Sequence, residues 1–345
     1  MLHNQPLVSI CIPTYNAERT VMSTVQSILS QTYHNLEILV VDNASSDNTM
    51  SLLRQINDSR LVIHRNERNI GAEANFSKCI QLATGEYIAI FHADDLYLPN
   101  MVEKQVRAFQ DNPSVGAVFT MASLINDRDE IVGESILPVK LRGKRVHHFP
   151  EILLSILENG NFLMTPSCMV RGKLYKELAP FDVDRFGTSA DLDMWLRILG
   201  KGPIAVLDEE LMSYRVSTTQ GSYQLGFFRT EEADFFKVMD YHLSLKSGVM
   251  DIPRSVLDKY EFQRSLDKIV RAINHLNKRE SAEAKRLLRE SVSTRAFRGA
   301  MGNITRPRTV AFWLCSILLL GSGHLRPYLA KSLRWSMRRL NRRVI

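Results

Sequence analysis

The sequence predicts an α/β protein, a doubly wound and mostly parallel sheet followed by a C-terminal helical extension. Three observations predict it. Short apolar, β-branched runs alternate with helix-patterned segments as far as about residue 110. Polar and acidic residues close two of those runs, as they do where such sheets bind ligands. Beyond about residue 225 the strand signal stops and charged, helical patterns take over.

Each element has its own justification. "PLVSICIP", bounded by Pro6 and Pro13, reads as a buried strand. Residues 17–30 carry Val21, Val25, Ile28 and Leu29 at helical spacing. "LEILVV", residues 36–41, is a second buried strand, and "DNASSDNT" after it suits a turn and a helix start. "LVIH", 61–64, is a third strand, and "GAEANFSKCIQLATG" a helix ended by Gly85. "YIAIF", 87–91, is the fourth. Strands and helices of these lengths make right-handed βαβ units, so residues 1–110 form a nucleotide-binding half. Residues 111–225 mix strands ("VGAVFT", "IAVLD") with helices, and 226–300 form the helical extension.

Composition narrows the function. With 345 residues, 45% apolar and 23% charged, the chain can bury a large core. Cys11, Cys79, Cys168 and Cys315 are scattered, which fits a reducing compartment and neither a disulfide framework nor a zinc site. "MLHNQPLVSICIP" runs straight into a strand without a signal pattern, so a cytoplasmic start is expected. The net charge of +7 is local. Nine of the 44 basic residues fall in 301–345, which holds no acid, leaving 35 against 37 acids in the first 300. A body of about −2 is no surface for nucleic acid.

Chemistry-bearing residues gather at strand and helix ends. "EYIAIFHADDLYLP" runs an apolar strand into His92, Asp94 and Asp95, groups that together could hold Mg²⁺ or Mn²⁺ against a pyrophosphate. Asp94 and Asp95 could equally cap the next helix. Asp42, after "ILVV", could accept from a base N–H or a ribose hydroxyl, or be an ordinary turn acid. Asn69, Gly71 and Asn75 could shape a loop near phosphates or cap the helix that follows. In "DLDMWLRI", Asp191 and Asp193 sit in a helix's first turn, where the helix dipole alone favours acids. A carboxylate there could also deprotonate an acceptor hydroxyl.

Taken in order, "VSICIPTYNAERTVMSTVQSILSQTYHNLEILVVDNASSDNT", "RNIGAEANFSKCIQLATGEYIAIFHADD", "FD…SADLDMWLRI" and "YRVSTTQGS" resemble the family 2 glycosyltransferases, which have the glycosyltransferase A fold. The resemblance covers about residues 6–222. It implies inverting transfer from a nucleoside-diphosphate sugar to an acceptor hydroxyl. It places Pro13, Thr14, Tyr15 and Asn16 in the nucleotide pocket, Asp42 on the base, and His92 and Asp94 at the ends of the metal-binding D-x-D. It makes Asp191 the base, with Trp195 and Arg197 continuing D-x-W-x-R and Asp95 orienting the donor sugar. Residues 111–225 become the acceptor-binding half of the same domain. Three residues depart from the family pattern: His92 for an Asp, Ala190 for a Glu beside the base, and Ser217 for a frequent His. They keep a second reading in view, a catalytically silent sugar-nucleotide-binding subunit. A nucleotidyltransferase fits less well, since "PTYNAERT" stands where its Gly-rich, basic loop belongs.

The tail adds a partner. "TVAFWLCSILLL", 309–320, makes about 18 Å of helix against a hydrocarbon core of roughly 30 Å, too short to span. Beyond it Leu329, Leu333, Met337, Leu340 and Val344 recur at helical spacing among Lys331, Arg334, Arg338, Arg339, Arg342 and Arg343. Residues 301–345 therefore read as a membrane-associating tail for an anionic surface. The same pattern suits a helix packed on the protein body. On the first reading the enzyme sits peripherally on the inner face of the cell membrane and meets a glycan or lipid-linked acceptor.

Overall fold

The computed structural model describes residues 5–178, 180–216, 229–246, 248–302 and 307–321. They fall into two compact units, Met1–Glu151 with Leu163–Val216, and Ile152–Phe162 with Ser217–Ile345.

The first unit is built on one mixed sheet. Its order opens β3 (Leu61–Arg65), β2 (Leu36–Asp42), β1 (Val8–Thr14) and β4 (Tyr87–Ile90), all parallel. Then come β9 (Met169–Arg171), β6 (Ala117–Ile125), β10 (Ile204–Arg215) and β5 (Leu96–Tyr97), with β7 (Ile131–Glu134) beside β6 and β8 (Val146–His147) beside β10. β6 and β10 run parallel over nine registered pairs, while the antiparallel ladders hold only two or three each. Most of the pairing is therefore parallel. The chain leaves β1 towards β2 and β3, then returns to pair β4 on the other side of β1. The switch in strand order lies between β1 and β4.

Helices α1 (Val21–Leu29), α2 (Thr49–Leu53), α3 (Ala72–Leu82) and α4 (Met101–Asp111) are the crossovers. β1 and β2 are apolar on both faces because the sheet is covered on both sides. Ile10, Ile12, Val25, Ile28, Ile38, Phe91 and Phe109 are among the core they build. Each such side chain contributes about 1.5–3 kcal/mol by leaving water.

Two local expectations change. Gly85 does not end a helix; α3 stops at Leu82, and a Cβ at Gly85 would meet the Ser9 nitrogen at 2.6 Å. This glycine lets the chain pass close against β1. Asp94 and Asp95 do not cap a helix either. β5 intervenes, and α4 starts at Met101 after Asn100.

α5 (Phe149–Asn159), α6 (Gly172–Glu177), α7 (Val183–Phe186) and α8 (Ala190–Leu199) complete the elements before β10. The second unit takes in most of α5 together with α9 (Asp234–Leu245), α10 (Arg254–Asn277), α11 (Ser281–Glu290), α12 (Thr294–Met301) and α13 (Pro307–Gly321). α12 lies so close to α10 that a Cβ at Gly299 would sit 2.0 Å from the Asp258 carbonyl oxygen. The apolar segment 309–320 falls within α13, whose Trp313 is buried, donates to Ser265 Oγ at 2.7 Å and meets Phe262 edge-on. Among the described residues no helix is long and apolar enough to cross a membrane. The basic stripe from Leu329 onward and Ser217 lie outside the described residues.

Candidate active site

The carboxyl ends of β1, β2 and β4 meet at the switch point, and the sequence puts polar residues there. Thr14 pairs in register with Asp42, and its carbonyl accepts the Asn43 N–H at 2.8 Å. Pro13 is half-buried and Tyr15 is 51% exposed beyond it. Asn16 turns the chain with φ 47°, a left-handed conformation that Asn tolerates. Its N–H donates to Ser45 Oγ, and its Oδ1 accepts from the Ser46 N–H. The first strand's loop is thereby tied to the second's.

Asp42 is fully buried. Its Oδ2 accepts the Ser45 N–H at 3.1 Å and lies 3.3 Å from Arg65 Nε, while Oδ1 is buried without a hydrogen-bond partner. A buried acceptor in this state is rare and marks a place for a donor to arrive. Asn69, Gly71 and Asn75 belong to one network with Asn43 and Asn66. Asn69 Oδ1 accepts from Asn43 Nδ2 and the Gly71 N–H, and Asn75 Nδ2 donates to the Val41 carbonyl. The Asn69 and Asn75 side chains brace the loop between β3 and α3 on the end of β2, while Gly71 is the N-cap of α3, its carbonyl accepting the Asn75 N–H at 3.2 Å.

After β4, His92, Asp94 and Asp95 each offer a ligand atom, and these atoms lie within 4.8 Å of one another. Asp95 is fully buried; its Oδ1 accepts the Arg215 N–H at 2.8 Å, and its Oδ2 lies 3.8 Å from His92 Nδ1 without a hydrogen-bond partner. Burial, then the neighbouring Asp94, holds the Asp95 carboxyl well above the usual carboxylate range, against the pull of Arg215. Burial also lowers the His92 imidazole, an effect that Asp94 opposes, and His92 Nε2 is buried without a partner. His92 Nε2 and Asp95 Oδ2, both without a hydrogen-bond partner, stand with Asp94 in a donor set that fits a divalent cation.

Arg215 braces this cluster from β10. Its Nε donates to the Asp94 carbonyl and its Nη1 to the Asn126 carbonyl, both at 2.8 Å, and its Nη2 pairs with Asp129. Thr24 Oγ1 holds the Ala93 and Asp95 carbonyls from α1. Arg215 stands in the quoted "YRVSTTQGS", but nothing local pairs it with Asp95, 120 residues away in the chain.

Asp191 opens α8 and is half-buried. Its Oδ2 accepts from Thr165 Oγ1 at 2.8 Å and its Oδ1 from the Leu192 N–H at 2.7 Å. Burial raises its carboxyl above the usual range; these two donors lower it, and Glu73 raises it further. Glu73 lies in the first turn of α3, and the ring of Phe76, one turn on, lies tilted against His92 at 5.9 Å and edge-on to Phe181 at 6.1 Å. The start of α3 therefore touches the strand-end cluster through Phe76 and has Glu73 in electrostatic reach of Asp191.

Trp195 lies in the core and not at the substrate contact expected of it, while Arg197 is partly exposed and paired to Asp193. Trp195 is 1% exposed, edge-on to Phe119 in the core. Arg197 Nε pairs with buried Asp193 at 2.7 Å, and Nη2 donates to the Pro180 carbonyl. Trp195 packs α8 on the core and Arg197 ties it to the Pro180 carbonyl, so both hold the helix that carries Asp191.

With this geometry in hand, known proteins give a consistent comparison. A family model described as glycosyl transferase family 2 matches residues 9–178. An uncharacterized glycosyltransferase of Methanocaldococcus jannaschii is 31% identical over 220 residues, covering 62% of this chain and 72% of the relative. The UDP-Glc:alpha-D-GlcNAc-diphosphoundecaprenol beta-1,3-glucosyltransferase WfgD of Escherichia coli is 36% identical over 135 residues, covering 39% of this chain and 53% of that protein. The crystal structure of S. aureus TarS 1-349 in complex with UDP aligns with a TM-score of 0.52 at 17% identity, covering 95% of this chain and 87% of TarS 1-349. That last likeness is one of fold.

Proposed function

The chain belongs to glycosyl transferase family 2, and on that premise we propose that it moves a sugar from a nucleoside diphosphate to an acceptor hydroxyl with inversion, in surface polysaccharide or glycolipid synthesis. The reading is carried by His92, Asp94 and Asp95, whose ligand atoms lie within 4.8 Å of one another at the strand ends; it is supported by Glu73 of α3 lying in electrostatic reach of the half-buried Asp191. Diphosphate chemistry and proton removal then have neighbouring places.

In this proposal Pro13, Thr14, Tyr15 and Asn16 line the nucleotide pocket, and Asp42 Oδ1 accepts a base N–H. Asp94 and His92 would hold Mn²⁺ or Mg²⁺, while Asp95 stays braced by Arg215 and orients the donor sugar. The cation, when bound, supplies positive charge against the departing diphosphate. Asp191 takes the acceptor proton as the hydroxyl oxygen attacks the anomeric carbon from the face opposite the diphosphate. The new C–O bond forms as the bond to the diphosphate oxygen breaks. WfgD's name describes a UDP-glucose donor and a diphosphoundecaprenol acceptor. A UDP-sugar and a lipid-linked acceptor are accordingly the first substrates to test here.

A thermal-shift screen of nucleotide sugars with and without Mn²⁺ tests the donor site. We expect a Mn²⁺-dependent rise in melting temperature for one donor class, lost in Asp94→Ala. A shift that survives Asp94→Ala removes that residue from the site. Donor binding without hydrolysis or transfer supports the silent-subunit reading instead.

The tail 301–345 we assign to an anionic membrane surface at the inner face of the cell membrane, because its apolar and basic residues occur together. Trp313 shows that part of 309–320 is packed within the helical unit, so the lipid contact falls to the stripe beyond it. Deleting 322–345 should release the protein from vesicles containing an anionic phospholipid; undiminished binding would refute the anchor.

A further inference from the structure

Thr165 has no part in any motif of the sequence, yet its hydroxyl proton goes to Asp191. It opens a 3-10 turn, Thr165–Ser167, and is 6% exposed. The turn is locked. The Cys168 N–H donates to the Thr165 carbonyl, and the Ser167 N–H and Oγ both donate to the Met164 carbonyl. The Ser167 carbonyl accepts from Nε2 of buried Gln105 at 2.9 Å. Backbone donors thus stabilise the turn without help from the Thr165 side chain, whose bond to Asp191 Oδ2 crosses 26 residues of chain.

We propose that Thr165 is the positioning residue of the Asp191 carboxylate, its hydroxyl fixing the plane in which that carboxylate meets the acceptor; this rests on Asp191 being the base. Two donors in different directions, Leu192 N–H on Oδ1 and Thr165 Oγ1 on Oδ2, define the orientation of the group. The Leu192 and Asp191 N–H groups belong to the start of α8 itself, so Thr165 is the donor that fixes the carboxylate from another element. The hydroxyl also has an electrostatic effect. Burial and Glu73 from α3 favour the protonated acid, and the hydroxyl favours the carboxylate, the form that can take a proton. Tyr175 on α6 is also in electrostatic reach of Asp191.

The test is a carboxyl NMR titration of the full chain labelled with ¹³C at aspartate Cγ, with Asp191→Asn identifying the Asp191 signal. Thr165→Val should raise the Asp191 midpoint by about one pH unit. Thr165→Ser, which keeps the hydroxyl, should leave it in place. If the valine variant does not fold, Thr165→Ala against Thr165→Ser decides the same question. A shift below about 0.3 pH unit in the hydroxyl-free variant overturns the proposal. So does an equal shift in the serine variant, since that would trace the effect to packing of the turn. The base assignment fails separately, through full transfer activity in Asp191→Asn, and the titration does not depend on it.

Discussion

The strand-end cluster of the first unit and the buried acids of the helical unit treat the same problem in opposite ways. In the helical unit, Asp258 accepts from both Nε and Nη2 of Arg298, at 2.7 and 3.1 Å, and Glu158 meets Lys259 Nζ at 3.4 Å. Each buried carboxylate has a cation from its own fold. At the strand ends, Asp42 and Asp95 are fully buried and each keeps one oxygen without a hydrogen-bond partner. Asp42 has Arg65 at 3.3 Å, as buried Asp267 of the helical unit has Arg229 and Arg271, so the difference lies at Asp95, which faces the His92 imidazole at 3.8 Å. Acids paired for stability find cations within the chain, whereas Asp95 keeps one oxygen open beside His92 and Asp94.

The largest effect that can break this contrast is catalytic. Asp191→Asn should lower transfer about a thousandfold while nucleotide-sugar affinity stays within a few-fold, because a general base acts in the transition state. Steady-state turnover and calorimetric donor binding check it, and equal losses in both would make Asp191 structural. A smaller effect sharpens the other side. Asp258→Asn should lower stability by about 1–2 kcal/mol at pH 7 without changing turnover of the folded protein. Arg298 beside it holds the Asp258 carboxyl below its usual range. The stabilisation is therefore present above the ordinary carboxylate value and is lost as pH falls through the lower folded value. Denaturant midpoints of wild type and variant should converge on acidification. A gap that persists at low pH, or a folded variant with impaired turnover, would blur the distinction between the two regions.

What could be read from sequence was what lies close along the chain. β-branched runs between helix-patterned segments announce a parallel sheet because burial on both faces demands apolar residues without alternation. Asp42 and the His92–Asp95 group stood out because polar residues abruptly close such runs. Asp191 was placed in a helix's first turn by the spacing of Leu192, Leu196 and Leu199, all buried. The tertiary structure decided the rest. It brought Arg215 to Asp94 and Asp95, and Thr165 to Asp191. It excluded the helix-cap reading of Asp94 and Asp95 by inserting β5, and it drew Trp195 into the core. The reason is physical: hydrophobic periodicity records which face of one element is buried, but not which distant element supplies the partner. That pairing depends on crossovers whose ends carry no local trace of where they meet.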